Sequence, residues 1–218
     1  MEGHTNPMSD SETKAQSAPP RHKVGRDGIL NVAARLFREH GYGSVSLRKI
    51  ALAAGIKAGS IYYHFSSKDQ IVVAILDEGI WAVHEQMRQA VTASPENRDA
   101  ATILRAAIRV HLRTLLEFSD YTSANVRIFG QVPQAVRDAN LPARRAYEAE
   151  WDTLLGRLQA ERALRHDVDI RRFRLMLIGA LNATLEWFDP DRGSPDALAD
   201  AYADIFLDGI LTKTGGQT

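Results

Sequence analysis

Apolar residues recur with the 3.6-residue period of an α-helix along almost the whole chain, and no segment alternates apolar and polar residues as a half-buried strand does. Glycines divide the first part of this pattern. The first stretch ends at Gly41 and Gly43, and the second, LRKIALAA, ends at Gly55. The sequence therefore predicts an all-α fold, with a three-helix head followed by a helical body of about six further elements.

Residues that commonly begin or end helices predict the other boundaries. Ser46 and Ser67 are expected N-caps, the second one for a long helix from Lys68 to about Val91. A very short helix ends before Ser67, and Pro142 is expected to interrupt a later helix. The remaining helices are predicted at residues 99–118, 121–130, 133–164, 169–188 and 195–211.

Length and composition limit the class of protein. The 218 residues suffice for a small domain fused to a larger one, and we expect a disordered lead at residues 1–22, a head at 23–68, a body at 69–213 and a flexible tail at 214–218. The absence of cysteine excludes disulfides and thiolate metal sites. No apolar run approaches the roughly 20 residues that span a bilayer. We therefore expect a cytoplasmic protein with no membrane partner.

A net charge of zero conceals an uneven distribution of charge. Between Arg21 and Lys68 there are nine basic side chains and only two acidic ones, Asp27 and Glu39. The rest of the chain therefore carries a compensating excess of acids. A basic head on an acidic body indicates an anionic polymer as a partner of the head, although a solvated charged face would have the same composition.

The basic head also has the residue spacing of a helix-turn-helix. The pattern requires an apolar anchor and a small residue in its first helix, a glycine at the turn, and two apolar residues that hold the second helix. These positions are occupied by Ile50, Ala51, Gly55, Ile56 and Ile61. All five agree, which chance rarely produces, and His64 is a departure because an aliphatic residue is common there.

The residues left on the third helix suit a DNA-reading surface. Ala58 and Gly59 leave room for the backbone to approach a groove, while Lys57 and Lys68 at the two ends can contact phosphates. Hydroxyl groups for phosphates or base edges come from Ser60, Tyr62 and Tyr63.

The alternative interpretation places the aromatic residues of this helix in the core. We expect that for Phe65, and in part for Tyr63 and His64, which could pack against the first helix. For Tyr62 and Lys57 we favour contact with DNA.

The segment GSVSLRKIALAAGIKAGSIYYHFSSKDQIVVAIL resembles the N-terminal DNA-binding domain of TetR-family repressors, over about residues 26–76. The resemblance implies a homodimer that binds a palindromic double-stranded DNA operator and is released when a small-molecule effector binds in the body. It also implies which residues contact DNA. These are Ser46, Arg48, Lys57, Ala58, Gly59, Ser60, Tyr62, Tyr63, His64 and Lys68.

In that family the last two helices usually form a four-helix bundle across the dimer. Both helices carry apolar stripes here, and the resemblance implies that these stripes form the dimer interface, although a buried core within one chain would predict the same stripes. The residues are Phe173, Leu177, Ile178, Leu181, Leu198, Ala201, Tyr202, Ile205 and Phe206.

The tail of the chain resembles TetR-type regulators of fatty-acid and steroid catabolism, several of which sense an acyl-coenzyme A. We therefore expect an apolar effector pocket that suits a hydrophobic or acyl ligand. The predicted lining is Ile80, Val83, Leu104, Ile108, His111, Leu115, Phe129 and Trp151. Arg105, Arg109 and Arg113 could contact coenzyme A phosphates or could be ordinary solvated surface.

Nothing in the sequence favours an enzyme. There is no phosphate-binding glycine loop and no nucleophile elbow, and we expect no cofactor and no metal site. The segment HDVD could suggest a metal, but Asp167 or Asp169 is expected to cap the following helix. The open alternatives to an acyl-responsive repressor are a regulator that responds to drugs or controls efflux, and a constitutive DNA-binding protein without an effector.

Overall fold

A computed structural model describes residues 24–92 and 99–211. The predicted disordered lead (1–22), the predicted tail (214–218) and Pro95 lie outside the described residues. Within the described part of the chain there is no strand, only one isolated antiparallel bridge between Leu164 and Leu211. The predicted all-α fold is confirmed. None of the helices in the described part has the length and hydropathy needed to cross a membrane.

Eight α-helices are numbered here in chain order. They are α1 (Arg26–His40), α2 (Leu47–Ala53), α3 (Lys68–Thr92), α4 (Ala100–Arg113), α5 (Asp120–Ile128), α6 (Gln134–Ala160), α7 (Ile170–Ala183) and α8 (Pro195–Ile210). The predicted third helix of the head is a short 3₁₀ helix, Ala58–Tyr63, and it is called the reading helix below. A π-helical turn, Thr114–Phe118, extends α4.

The predicted N-caps form the expected hydrogen bonds. The Ser46 hydroxyl accepts the Lys49 N–H at 3.2 Å and begins α2, and the Ser67 hydroxyl accepts the Gln70 N–H at 3.1 Å at the start of α3. Each cap satisfies one of the free N–H groups in a first helical turn.

The predicted interruption at Pro142 is wrong, because α6 runs through it as one helix of 27 residues. Proline removes one backbone hydrogen bond, but its fixed φ is compatible with a helix. Packing on the C-terminal side of Pro142 favours continuity, since Ala143, Tyr147 and Trp151 are all buried. Most helical stability in proteins comes from such tertiary burial rather than from local propensity.

The helices form two hydrophobic clusters. The head cluster joins α1, α2, the reading helix and the first half of α3, up to Leu76, and includes Ala124 and Ile128 of α5. The body cluster begins at Ile80 of α3 and joins α4, α6, α7 and α8. Both α3 and α6 contribute to both clusters, since Val136 of α6 belongs to the head cluster.

Candidate DNA-reading surface and effector cavity

The turn between α2 and the reading helix has the expected geometry. Gly55 has a φ of +68°, a left-handed conformation that other residues adopt with strain. The Ile56 N–H donates to the Ala51 carbonyl at 3.0 Å. Ile50 and Ile61 are fully buried, so the reading helix is held firmly on α2.

The outer face of the reading helix is open to solvent. Tyr62 is 62 % exposed and Tyr63 is 89 % exposed, although both are aromatic. The partial packing expected for Tyr63 and His64 does not occur, while Phe65 is buried as expected. With three residues per turn, Ile61 takes the inward position and its two successors point outward. Most of the other predicted contacts are also exposed, namely Ser46, Arg48, Lys57, Ala58 and Gly59, and Ser60 is half-buried.

Lys68 differs from the other predicted DNA contacts because its ammonium group already has internal partners. It donates to the Tyr42 carbonyl at 2.6 Å and lies 3.6 Å from the centroid of the Tyr42 ring. Burial lowers the pKa of Lys68. These contacts fasten the start of α3 to the loop between α1 and α2, and a phosphate contact by Lys68 remains a prediction.

A cavity of about 270 Å³ lies between α3, α4, α5, α6 and α7. Four of the eight predicted lining residues reach it, namely Ile80, Val83, His111 and Phe129. Leu104, Ile108 and Trp151 do not, because they are fully buried in the body cluster. Leu115 lines a different cavity, at the junction of α1 with the start of α5.

The cavity wall is more polar than the sequence predicts. Besides His111, it includes Thr122, Asn125, Arg144, Tyr147, Glu148 and Asn182. These residues come from α4, α5, α6 and α7, so their proximity depends on tertiary packing. A weak signal was available, because Arg144, Tyr147 and Trp151 follow one another at helical spacing on a mostly apolar face.

His111 is neutral in this wall. Its burial lowers its pKa to about 4, so only one ring nitrogen carries a proton at pH 7. Nε2 lies 3.1 Å from Asn182 Oδ1, which can only accept, so Nε2 carries the proton. Nδ1 lies 2.6 Å from the Tyr147 hydroxyl oxygen and accepts a hydrogen bond from that hydroxyl. The three side chains therefore form a chain of neutral hydrogen bonds across α6, α4 and α7.

α5 connects the cavity to the head. On the cavity side, the Thr122 hydroxyl donates to the Gly79 carbonyl at 2.9 Å, and Asn125 Nδ2 donates to the Leu76 carbonyl at 2.6 Å. On the head side, the Tyr121 hydroxyl donates to Asn31 Oδ1 of α1 at 2.7 Å.

The short 3₁₀ helix after α5, Phe129–Gln131, adds another contact with the head. Gln131 Oε1 accepts the N–H of Tyr42 at 2.9 Å, and its amide nitrogen donates to the Arg127 carbonyl at 2.9 Å. Tyr42 also accepts a hydrogen bond from Lys68 through its backbone carbonyl. The loop between α1 and α2 is therefore held by Gln131 on one side and by Lys68 of α3 on the other.

The arginines that could have met coenzyme A phosphates are paired with α8 instead. Arg105, Arg109 and Arg113 recur every four residues on α4 and match Asp204, Asp200 and Asp196, which recur every four residues in the opposite direction. Arg105 Nη1 lies 2.6 Å from Asp204 Oδ1. This ladder joins two antiparallel helices, and a contact between these three arginines and coenzyme A phosphates stays a prediction.

The predicted dimer stripe on α7 lies mostly inside the single chain, and its part in a dimer stays a prediction. Phe173, Leu177 and Leu181 are buried in the body cluster of their own chain, and Ile178 faces the effector cavity. The outer face of α7 instead exposes a second apolar pair, Leu175 and Met176. A helix that is apolar on two sides carries two stripes, and periodicity does not tell which one faces the core.

The predicted stripe on α8 is more accessible. Ile205 is 69 % exposed, Ala201 is exposed, and Leu198, Tyr202 and Phe206 are half-buried. Phe206 packs edge-on against the ring of Phe173, with 5.9 Å between centroids.

The HDVD segment is explained by ordinary contacts. Asp169 Oδ1 accepts the Arg172 N–H at 2.9 Å and caps α7, as predicted, while Asp167 pairs with Arg165 at 2.6 Å. Across residues 24–92 and 99–211, no three His, Asp or Glu side chains are grouped to hold a metal ion.

Comparison with known proteins finds matches to the same family of proteins in both the head and the body. Residues 29–75 match the family described as bacterial regulatory proteins, tetR family, and residues 97–210 match the tetracyclin repressor-like C-terminal domain. Together these two matches cover the head and most of the body.

Three individual proteins illustrate the similarity. The HTH-type transcriptional repressor KstR2 of Rhodococcus jostii is 28 % identical over 86 % of this chain and 91 % of its own. The fatty acid metabolism regulator protein of Bacillus subtilis is 25 % identical over 85 % of this chain and 95 % of its own. The structure of AibR with isovaleryl coenzyme A and operator DNA shares the fold, with a TM-score of 0.74 and 22 % identity over 83 % of this chain and 96 % of that one.

Proposed function

Because the chain belongs to the TetR family of bacterial regulatory proteins and is a transcriptional repressor rather than an enzyme, we propose that it binds a palindromic DNA operator as a homodimer and leaves it when a small effector enters the body. In this proposal residues 23–68 form the DNA-binding domain and residues 69–213 the effector-binding and dimerisation domain. The protein would act in the cytoplasm, where it meets the operator.

The observation that carries the proposal is the exposed face of the reading helix. Tyr62 and Tyr63 extend into solvent from a helix whose other side is anchored by Ile61. Adjacent exposed aromatic side chains on one face form a surface patch of the kind that binds a partner, and the two hydroxyls can bond phosphates or base edges. Lys57 precedes the helix and is exposed as well, so it can contact a phosphate.

A two-fold dimer would present two reading helices to successive major grooves, about 34–36 Å apart. The exposed apolar faces of α7 and α8 support such a dimer. Leu175, Met176 and Ile205 are each more than half exposed in the single chain. We propose that these residues, with Ala201 and Tyr202, replace the α7 stripe predicted from sequence as the centre of the interface.

An acyl-coenzyme A is the effector class that the relatives favour. One relative is described as a fatty acid metabolism regulator, and the structure of another holds isovaleryl coenzyme A together with operator DNA. Ile80, Val83 and Ile178 give the cavity an apolar side that suits an acyl chain. With a volume of about 270 Å³, the cavity is near the lower end of small-molecule sites, about 300–1,000 Å³, so only the acyl part would lie inside.

The proposal is tested by selecting an operator from a random duplex library and measuring its affinity by fluorescence anisotropy. Tyr62→Phe should weaken binding by about 1 kcal/mol if its hydroxyl makes one hydrogen bond. Arg145→Gln, at an exposed position on α6, is the matched control and should bind like the parent.

The same assay separates the candidate effectors. Release by acyl-coenzyme A thioesters supports the proposal, whereas release only by planar aromatic drugs would indicate a drug-responsive regulator. If no compound in either panel changes operator affinity or melting temperature, the protein is a constitutive DNA-binding protein. Failure to select any operator would contradict the proposal as a whole.

A further inference from the structure

Arg144 is the cation of the effector cavity, and its charge has no paired carboxylate. Within residues 24–92 and 99–211, no ion pair includes Arg144. The nearby Glu148 lies 2.8 Å from Arg174 Nη1, and Arg174 also pairs with Asp152 at 2.7 Å. The charge of Glu148 also stabilises the Arg144 guanidinium from a distance, but the ion pair of Glu148 is formed with Arg174, so the Arg144 guanidinium has no carboxylate in direct contact among the described residues.

The guanidinium of Arg144 is held in place by neutral groups. Its face lies over the Phe129 ring, 3.6 Å from the centroid, and Nη2 donates to Asn125 Oδ1 at 3.0 Å. Its Nε is buried and has no hydrogen-bond partner. A buried donor without a partner costs free energy, so this N–H is a vacant position for an acceptor.

From these contacts we propose that the cavity binds an effector through a carboxylate, held by Arg144. The Nε–H and a neighbouring N–H of a guanidinium match the two oxygens of a carboxylate. Ile80, Val83 and Ile178 would cover the apolar remainder of the effector. His111 is neutral and engaged with Tyr147 and Asn182, so Arg144 supplies the only positive charge among the lining residues.

The inference rests on the proposed function, since it names the chemistry of the same effector. The carboxylate has two possible sources. One is a free carboxylic acid, and the other is a coenzyme A thioester whose acyl chain carries a second carboxyl group. Both sources would place a carboxylate on Arg144. A simple thioester such as isovaleryl coenzyme A has no carboxylate on its acyl chain to place there.

Binding is tested on the full-length protein without DNA, by thermal shift and isothermal titration calorimetry. The probes are hexanoate and phenylacetate with their methyl esters, and glutaryl coenzyme A with butyryl coenzyme A. Because no operator is needed, the outcome is independent of whether the protein binds DNA as proposed. Hexanoate and phenylacetate should raise the melting temperature more than their esters, or glutaryl coenzyme A should do so more than butyryl coenzyme A.

Arg144→Gln should reduce the affinity for the carboxylate probe at least tenfold and leave the affinity for its ester unchanged. Arg144→Lys keeps the charge but loses the two parallel donors, and we expect partial recovery. Arg145→Gln, one residue further along α6 and exposed, should bind the probes like the parent. Circular dichroism establishes that each variant keeps its helix content.

Three results would overturn the inference. The first is equal affinity for acids and esters, and the second is an Arg144→Gln protein that still binds the acids as tightly as the parent. The third is the absence of any response to all carboxylate probes at millimolar concentration. Which pair of probes responds identifies the source of the carboxylate.

Discussion

Gly79 is the position where a single methyl group should disturb the structure most. A Cβ atom built on Gly79 would lie 2.4 Å from the carbonyl oxygen of Tyr121 and 2.8 Å from its carbonyl carbon. Ordinary van der Waals contact begins near 3.4 Å, so α3 and α5 would have to separate by about 1 Å. The neighbour is backbone rather than the end of a flexible side chain, and therefore no rotamer change relieves the clash.

Two effects of Gly79→Ala oppose each other. Replacing a glycine inside a helix by alanine stabilises the helix by about 1 kcal/mol. Overpacking of a close contact destabilises by about 1–3 kcal/mol, and the bonds from Thr122 to Gly79 and from Asn125 to Leu76 would be stretched as well. We expect a net loss of about 1 kcal/mol, which lowers the melting temperature of a chain of this size by about 2–4 °C.

Gly156→Ala is the matched control, since Gly156 lies inside α6 and a Cβ there meets nothing within 4 Å. That variant should gain about 1 kcal/mol and melt at a higher temperature than the parent. Differential scanning calorimetry of the three proteins decides the matter. If Gly79→Ala stabilises the protein as much as Gly156→Ala does, the contact between α3 and α5 is looser than described, and the reasoning fails.

Three further predictions concern charge, pH and assembly. Lys57→Ala should weaken operator binding and reduce the slope of log affinity against log salt by about 1, and it should leave the melting temperature unchanged. Lys68→Ala should lower the melting temperature, because the Lys68 ammonium is hydrogen-bonded within the protein. His111 has a pKa of about 4 in the folded protein, below its unfolded value of 6.5, so the unfolded chain binds the proton first as the pH falls. The free energy of unfolding should therefore decrease between pH 6.5 and pH 4. Urea unfolding at pH 7 and pH 4.5 should show a larger decrease in the parent than in His111→Gln. Leu175→Glu should give folded monomers by sedimentation, while Leu177→Glu should unfold the protein, and a folded Leu177→Glu would contradict the burial of that side chain.

The head could be predicted from the sequence because its signals are local. Gly55 is needed for a turn only a few residues long, and the hydroxyl of Ser46 bonds an N–H three residues away. Ile50 and Ile61 follow the helical period of segments that are adjacent in the chain. Such features depend on backbone geometry and close neighbours, which one sequence already contains.

The cavity could be predicted only in part because its polar groups meet across long sequence separations. His111 and Asn182 are 71 residues apart, and Arg144 and Asn125 are 19 residues apart on different helices. The face of α7 was ambiguous for a related reason. Apolar residues occur on both of its sides, and only packing decides that Leu177 is buried while Leu175 is exposed. Periodicity identifies an apolar face but not its partner.

The cavity lies on the boundary between the two hydrophobic clusters, and this position suggests how an effector could reach the DNA surface. Its wall includes Phe129, which packs on the head cluster, and Ile80, which belongs to the body cluster. α3 crosses the boundary at Gly79, between Leu76 in one cluster and Ile80 in the other. The bond from Arg144 to Asn125 also crosses it, and a carboxylate on Arg144 would compete for this bond.

We therefore expect the effector to separate the two clusters and to change the distance between the heads of a dimer. The chain has no cysteine, so a single Leu52→Cys substitution gives one spin label per head, at a side chain that is 81 % exposed. Pulsed electron paramagnetic resonance should show a different distance between the labels when the effector is bound. A second label pair from Arg145→Cys, on the body, should change less, because α6 beyond Pro142 packs in the body cluster. An effector shifts a conformational equilibrium only if it binds one of the two conformations more tightly. An unchanged head-to-head distance at saturating effector would therefore mean that the effector does not favour a conformation with separated clusters, and that any release of DNA occurs in another way.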